Sequence, residues 1–234
     1  IALLITIAST VTAMFYLLDA LQGERRDRSV LFWKSLPVSD TTAVLTKLFT
    51  AMVVAPAIAF AAAIATQLVV IVLSSIGLLF AGANPAPLWT NLPIFFEVTV
   101  VVSYALIVIS LWFAPIYGWL LLVSSWAKRS TFLWAVLPPV AIIVFERLAF
   151  GTRYAADVLS YRLGDGMESA FINGKLGRRG DVGAEFTARA EEHNLLATLD
   201  PGGFLANPYL WVGLAVAAGF VAAAIWMRRY REPI

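Results

Sequence analysis

The sequence contains no cysteine and a single histidine among its 234 residues. This removes disulfides, thiolate metal sites and cysteine nucleophiles, though it assigns no compartment. The lone His193 stands beside Glu191 and Glu192 in a polar stretch. One histidine builds a zinc site only with carboxylates to complete it, and a solvated surface side chain is the simpler reading. Charge is scarce as well. Asp, Glu, Lys and Arg make up 14% of the chain, where a soluble domain carries about a quarter. The net charge of +2 gives no reason to expect a nucleic-acid partner. Neither an internal repeat nor a low-complexity tract is present.

Apolar side chains fill the difference. They account for 60% of positions, the mean hydropathy is +0.81, and they gather in blocks of the length a bilayer requires. The first block is Ile1 to Leu21, enough for one crossing. Gln22 to Lys47 follows, a polar segment holding Arg25, Arg26, Arg28, Lys34 and Lys47. A residue preceding proline disfavours helix, so a helix from about Glu24 is expected to stop near Ser35, ahead of Pro37. Ser39 has the character of an N-cap, with Asp40 in the first turn near the positive end of the dipole.

The second block, Leu48 to Ala81, carries no charge. As one helix it would run roughly 50 Å at 1.5 Å per residue, so it must tilt, bend or protrude, and Pro56 is the expected bend. A turn-rich loop, Gly82 to Pro93, leads to the third block, Ile94 to Trp126. This block is expected to be one span kinked at Pro115-Ile-Tyr-Gly118, a span plus a re-entrant piece being the alternative. Ala127 to Ser130 forms a basic turn. Thr131 to Phe145, with Pro138-Pro139, is short for a crossing unless it extends to Phe150. The fifth block runs from Pro208, suited to a helix start, to Met227. The expectation is an all-α, polytopic transmembrane helix bundle of about five spans. Its divisions are 1–146 (four spans and the polar segment 22–47), 147–207 (a polar loop) and 208–234 (the last span and a basic tail). Within the loop a helix is expected over Ala184 to Thr198, and a hairpin or loop over Asn173 to Gly180.

Five crossings put Gln22–Lys47, the 127–130 turn and the tail on one side. Together they hold ten Lys and Arg, whereas Gly82–Pro93 on the other side has none. Short basic loops stay in the cytoplasm. The tail is therefore expected to be cytoplasmic and the 147–207 loop external. The start, Ile-Ala-Leu-Leu, lacks the charged region of a signal peptide, and an earlier segment is expected before it.

Little in the chain suggests catalysis. Ser124-Ser125 has no base near it in sequence. Gly174-Lys175-Leu176-Gly177 lacks phosphate-cradling spacing and follows no strand, so no ATPase is expected here. An intramembrane enzyme would need facing ionisable groups at bilayer depth, and the spans offer almost none apart from Glu97. Charge inside a membrane is a functional hypothesis by default. Glu97 is accordingly the candidate for a pathway or gate, although it, Asp19, Glu146 and Arg147 all sit near span ends, where structural roles fit too. Thr66, Gln67, Ser74, Ser75 and Ser103 read as helix-to-helix hydrogen-bonding groups.

The informative stretch is Glu24-Arg25-Arg26-Asp27-Arg28-Ser29-Val30-Leu31-Phe32-Trp33-Lys34-Ser35-Leu36-Pro37-Val38-Ser39. An interfacial helix lying on lipid fits it, and a docking surface for a cytoplasmic protein fits it equally. This stretch strongly resembles the loop after the second span in bacterial type-2 ABC transporter permeases. The ending, from Trp211 on to Ala224-Ile225-Trp226-Met227-Arg228-Arg229-Tyr230-Arg231-Glu232, is similar to that group as well.

The resemblance implies a transport subunit rather than an enzyme, an exporter permease of the bacterial cytoplasmic membrane. It implies six spans in the full subunit, a second permease copy (a homodimer) and two copies of a separate ABC ATPase. No cofactor is expected in this chain; ATP and Mg would sit on the ATPase. The coupling helix of the family matches Arg26 to Leu36. Glu24, Arg25, Arg26, Asp27, Arg28, Leu31, Phe32, Trp33, Leu36 and Pro37 are thereby the expected ATPase contacts. The 147–207 segment takes the place of the family's external segment but is longer than usual there. The rival expectation is a non-transporting membrane anchor or sensor that works through its external loop.

Overall fold

A computed structural model describes residues 2–27, 38–90, 92–171 and 195–230. Five helical stretches among them are long and apolar enough to cross a membrane: Leu4–Arg26, Asp40–Phe80, Leu92–Trp112, Thr131–Phe150 and Pro208–Tyr230. The described residues contain no strand, only one antiparallel bridge between Phe171 and Leu199. The protein is an all-α membrane protein. Its helices are poor at covering their own apolar surface. In Thr131–Phe150 only 6% of the most apolar window is buried, and Phe132, Leu137, Ile142, Phe145 and Leu148 face outward. In water such a surface would be an aggregation liability; hydrocarbon is its natural solvent.

The chain divides into two compact units. The first comprises Ile1–Ser9, Pro56–Ile109 and Met167–Asn207, the second Thr10–Ala55, Ser110–Gly166 and Pro208–Ile234. The second unit contains most of helix α1 (Ala2–Ala20), the short α2 (Gln22–Arg26) and α3 (Asp40–Phe49). Ser39 caps α3 as expected, its hydroxyl accepting the Thr42 N–H at 3.1 Å. The described part of the helix expected over 24–35 is α2, which closes earlier: Asp27 ends it, donating its N–H to the Gly23 carbonyl at 2.9 Å. The rest of that expectation, like the Gly-rich run 173–180 and most of the 184–198 helix, lies outside the described residues.

Thr50–Val54 forms a π-helical turn between α3 and α4 (Ala55–Phe80), in which the Ala55 N–H reaches the Thr50 carbonyl. The bend expected at Pro56 thus begins one turn ahead of it. Pro56 supplies no N–H to the helix, and a widened turn is one way a helix absorbs that loss. Thr46 and Thr50 bond back to the carbonyls of Thr42 and Thr46 at 2.8 and 2.9 Å, which also favours bending.

The third apolar block is two helices, not one. After α5 (Ala86–Thr90), α6 (Leu92–Trp112) ends at Phe113, and α7 (Ala114–Trp126) starts with Pro115 in its first turn, where proline is tolerated. The break falls two residues ahead of the proline. Helix α8 (Thr131–Phe150) does extend to Phe150, reaching spanning length. Within the 147–207 stretch lie α9 (Tyr154–Leu163), the 3-10 turns Asp165–Ala170 and Leu195–Thr198, and α10 (Pro201–Ala206). Helix α11 (Pro208–Tyr230) is the last span.

In the second unit α11 packs along α7. Leu210, Gly213, Ala217, Val221 and Ala224, three or four residues apart, form its buried stripe. Small side chains let the backbones approach: a Cβ on Gly118 would lie 3.1 Å from the Ala217 carbonyl oxygen.

Candidate functional site

Four charged side chains meet where α2, α3 and α11 come together in the second unit. Glu24 bonds Lys47 at 2.8 Å and Arg228 at 2.7 Å, and Arg228 also bonds Asp40 at 3.0 Å. The side chains are mostly buried, Arg228 at 8% exposure and Glu24 at 16%. Two anions and two cations leave the cluster neutral, so none of these charges is desolvated without a counter-charge. Removing one member of such a buried set typically costs about 3–5 kcal/mol. Asp40 and Lys47 are two turns apart on one face of α3, with Val44, fully buried, between them.

A second set of bonds fastens α2 to α7. The Ser124 hydroxyl accepts the backbone N–H groups of Leu21 and Gln22 at 2.9 and 3.1 Å, meeting donors that the start of α2 leaves open. Arg25 donates to the carbonyls of Ser124 and Ala127 at 2.7 and 2.9 Å. A cation at the C-terminus of α7 satisfies orphan carbonyls and complements the helix dipole. The Gln22 amide reaches the Lys128 carbonyl at 3.3 Å. Gly23 makes room for the end of α1, since a Cβ there would stand 2.9 Å from the Asp19 carboxylate. The described parts of the polar segment, the 127–130 turn and the end of α11 therefore share one end of this unit, as counting spans had implied.

The ten expected ATPase contacts separate accordingly. Glu24 and Arg25 are engaged by the chain's own helices. Arg26 and Asp27 are exposed and paired with each other at 3.4 Å. Arg28, Leu31, Phe32, Trp33, Leu36 and Pro37 lie outside the described residues. Asp40, Lys47, Ser124 and Arg228 were not among the expected site residues. The seven-residue spacing of Asp40 and Lys47 on a face carrying Val44 was the available signal. Ser124 gave none, because its partners are backbone groups about a hundred positions away.

Glu97 belongs to the first unit, where its carboxylate accepts the Leu195 N–H at 3.0 Å. Seven residues on and on the same face of α6, the Tyr104 hydroxyl donates to the Ala170 carbonyl at 3.0 Å. Asp200 donates its own N–H to Ala170 at 2.9 Å, and its carboxylate caps α10 through the Gly203 N–H at 2.7 Å. Glu97 thus anchors the 3-10 turn at 195–198 to α6. Between α4 and α6 the Thr99 hydroxyl bonds Gln67 at 3.1 Å, the helix-to-helix role expected of Gln67.

Glu146 has a comparable task in the second unit. It accepts from the Thr152 hydroxyl and from the N–H groups of Tyr154 and Ala155 at 2.6, 2.6 and 2.8 Å. The carboxylate caps α9 across the turn made by Gly151, whose φ of +66° suits glycine. Among the described residues no group of three or more His, Asp and Glu could hold a metal. Comparison with protein-family models, curated proteins and solved structures finds no match to this chain.

Proposed function

We propose that the chain is the membrane subunit of an ATP-driven exporter of the bacterial cytoplasmic membrane. In this reading it works as a homodimer with two copies of a separate ATPase, which carries the ATP and Mg, and its C-terminus lies in the cytoplasm. The observation that carries the reading is the buried Glu24–Lys47–Arg228–Asp40 cluster. Glu24, ahead of the 28–37 segment, is ionically tied to Lys47 in the last turn of α3 and to Arg228 at the end of α11, and Asp40, just after the segment, is tied to Arg228. A protein that grips this segment therefore pulls on packed helices rather than on a slack loop. Arg26 and Asp27, exposed beside it, are the described groups available for such a grip. Glu97 is the proposed gate residue, since its bond to Leu195 joins a span to the polar segment preceding the last span.

The test is purification of the chain from its native membrane in mild detergent, with mass spectrometry of co-eluting proteins and assay of ATP hydrolysis. A nucleotide-hydrolysing subunit is expected, cross-linking to a cysteine introduced at Asp27. Reversing the charge of Arg26 and Arg28 together with Trp33→Ala is expected to uncouple hydrolysis from transport. A purified complex lacking any ATPase ends the reading and leaves the anchor or sensor alternative. So does a variant that hydrolyses ATP and transports normally.

A further inference from the structure

An apolar cavity of about 470 Å³ opens in the second unit among α7, α8, α9 and α11. Pro139, Ile142, Leu159, Val216 and Phe220 are typical of its walls, and among the described residues the one charged side chain lining it is Arg162. The guanidinium of Arg162 lies 4.4 Å from the Trp112 ring centroid. It fills the space above Gly213, where a Cβ would coincide with it. The Trp112 indole N–H donates to the Arg162 carbonyl at 2.8 Å, and Tyr161 packs on Trp112 and Tyr209 with ring centroids 5.8 and 5.1 Å away. The cation is held in place by aromatic rings and a glycine. No carboxylate whose side chain the structure describes lies within ion-pair distance of it.

Burial lowers the pKa of this guanidinium, with Tyr161 opposing the shift. An arginine stays protonated under any such change at neutral pH. A partly buried cation on an apolar wall, with no anion paired to it among the described side chains, has an unmet electrostatic need. Its depth narrows what can meet it. Gly213 and Arg228 are fifteen positions apart on α11, roughly 22 Å at 1.5 Å per residue. With Arg228 in the ionic cluster at one end of the span, Arg162 lies toward the headgroup level of the opposite leaflet of a ~30 Å hydrocarbon core.

We infer that this cavity binds one glycerophospholipid, an acyl chain against the apolar walls and the phosphodiester on Arg162. Arginine matches a phosphate through parallel N–H bonds, which no apolar occupant offers. A free phosphate would leave the walls uncovered, and a neutral lipid would leave the cation unpaired. Basic pockets between spans hold lipid headgroups in the same way.

Native mass spectrometry of the detergent-purified chain, titrated with dioleoylphosphatidylglycerol, dioleoylglycerol or inorganic phosphate, tests this. One phospholipid is expected to remain bound, with dioleoylglycerol and inorganic phosphate each weaker by about tenfold or more, the scale of one charge-assisted hydrogen bond. Arg162→Gln is expected to lose affinity for the phospholipid by a similar factor. Arg162→Lys, which keeps the charge but not the parallel N–H bonds, is expected to fall between Arg162→Gln and the wild type, and Arg129→Gln, at an exposed turn, is expected to keep all of it. Phospholipid held equally by Arg162→Gln and the wild type overturns the inference. Should Arg162→Gln lose its helical circular dichroism, competition on the wild type decides. Dioleoylglycerol displacing the phospholipid as effectively as more phospholipid does would then overturn it.

Discussion

Pro139 has no N–H, so the Ala135 carbonyl, four residues back in α8, is left without its helical donor. The Trp119 indole of α7 supplies one at 3.0 Å. In a membrane an unmet carbonyl has no water to turn to, and the pairing makes a sharp prediction. Trp119→Phe keeps the ring against Phe220, 5.5 Å away, but deletes the donor. It should cost about 1–3 kcal/mol in the wild type. In a Pro139→Ala background the helix recovers its own N–H, and the same substitution should cost much less. Unfolding of the four proteins in detergent gives the cycle, and equal costs in both backgrounds refute the pairing. Sequence reading placed the prolines in this span but not their consequence. Two adjacent prolines announce an orphan carbonyl, but nothing in the chain says which side chain, sixteen positions earlier, will reach it. Arg25 poses the same difficulty, because a basic residue in a basic stretch looks solvent-facing until its carbonyl partners on α7 are known.

Helices pack in this protein through small residues, and two glycines separate the contact from the bystander. Gly118 faces Ala217 across the α7–α11 contact, whereas nothing lies within 4 Å of a Cβ on Gly219. Gly219→Ala should therefore raise the unfolding midpoint in detergent or leave it unchanged, since alanine improves an open helical position by about 0.5–1 kcal/mol. Gly118→Ala must push on backbone, with a destabilisation of about 1–3 kcal/mol. The reverse order would show that α7 and α11 do not meet along this face. At this scale the sequence was most readable where one property dominates. Apolar blocks located the spans, Ser39 marked the start of α3, and Pro208 begins α11 as its position implied. It was least readable where geometry depends on neighbours. The break at Phe113 ahead of Pro115 and the π turn ahead of Pro56 each precede the proline that suggested them. The described elements inside 147–207 are short, and bonds from Glu97, Tyr104, Glu146 and Asp200 fix them, none of which shows in a hydropathy pattern.

For the molecule as a whole, the absence of cysteine turns from an exclusion into a tool. Single cysteines at Asp27, Lys128 and Arg229 occupy exposed positions around the end where α2, α7 and α11 meet, and Ala83 is exposed beyond the far end of α4. One span separates Asp27 from Ala83. Ten Lys and Arg in the three short basic segments, against none in the 82–93 loop, predict a cytoplasmic side for those segments. A membrane-impermeant maleimide applied to intact cells should modify Ala83→Cys alone. The other three variants should react only after permeabilisation, and together. Asp27→Cys and Lys128→Cys reacting from different sides would contradict the bonds from Gln22 and Arg25 to the 124–128 backbone. All three reacting from outside would leave the helices and their ion pairs intact but turn the exposed Arg26–Asp27 surface away from any cytoplasmic ATPase. The proposed motor would then have nothing to hold. Labelling thus tests the fold and the function separately, because the fold requires only that the three sites agree, whereas the function also requires which face they share.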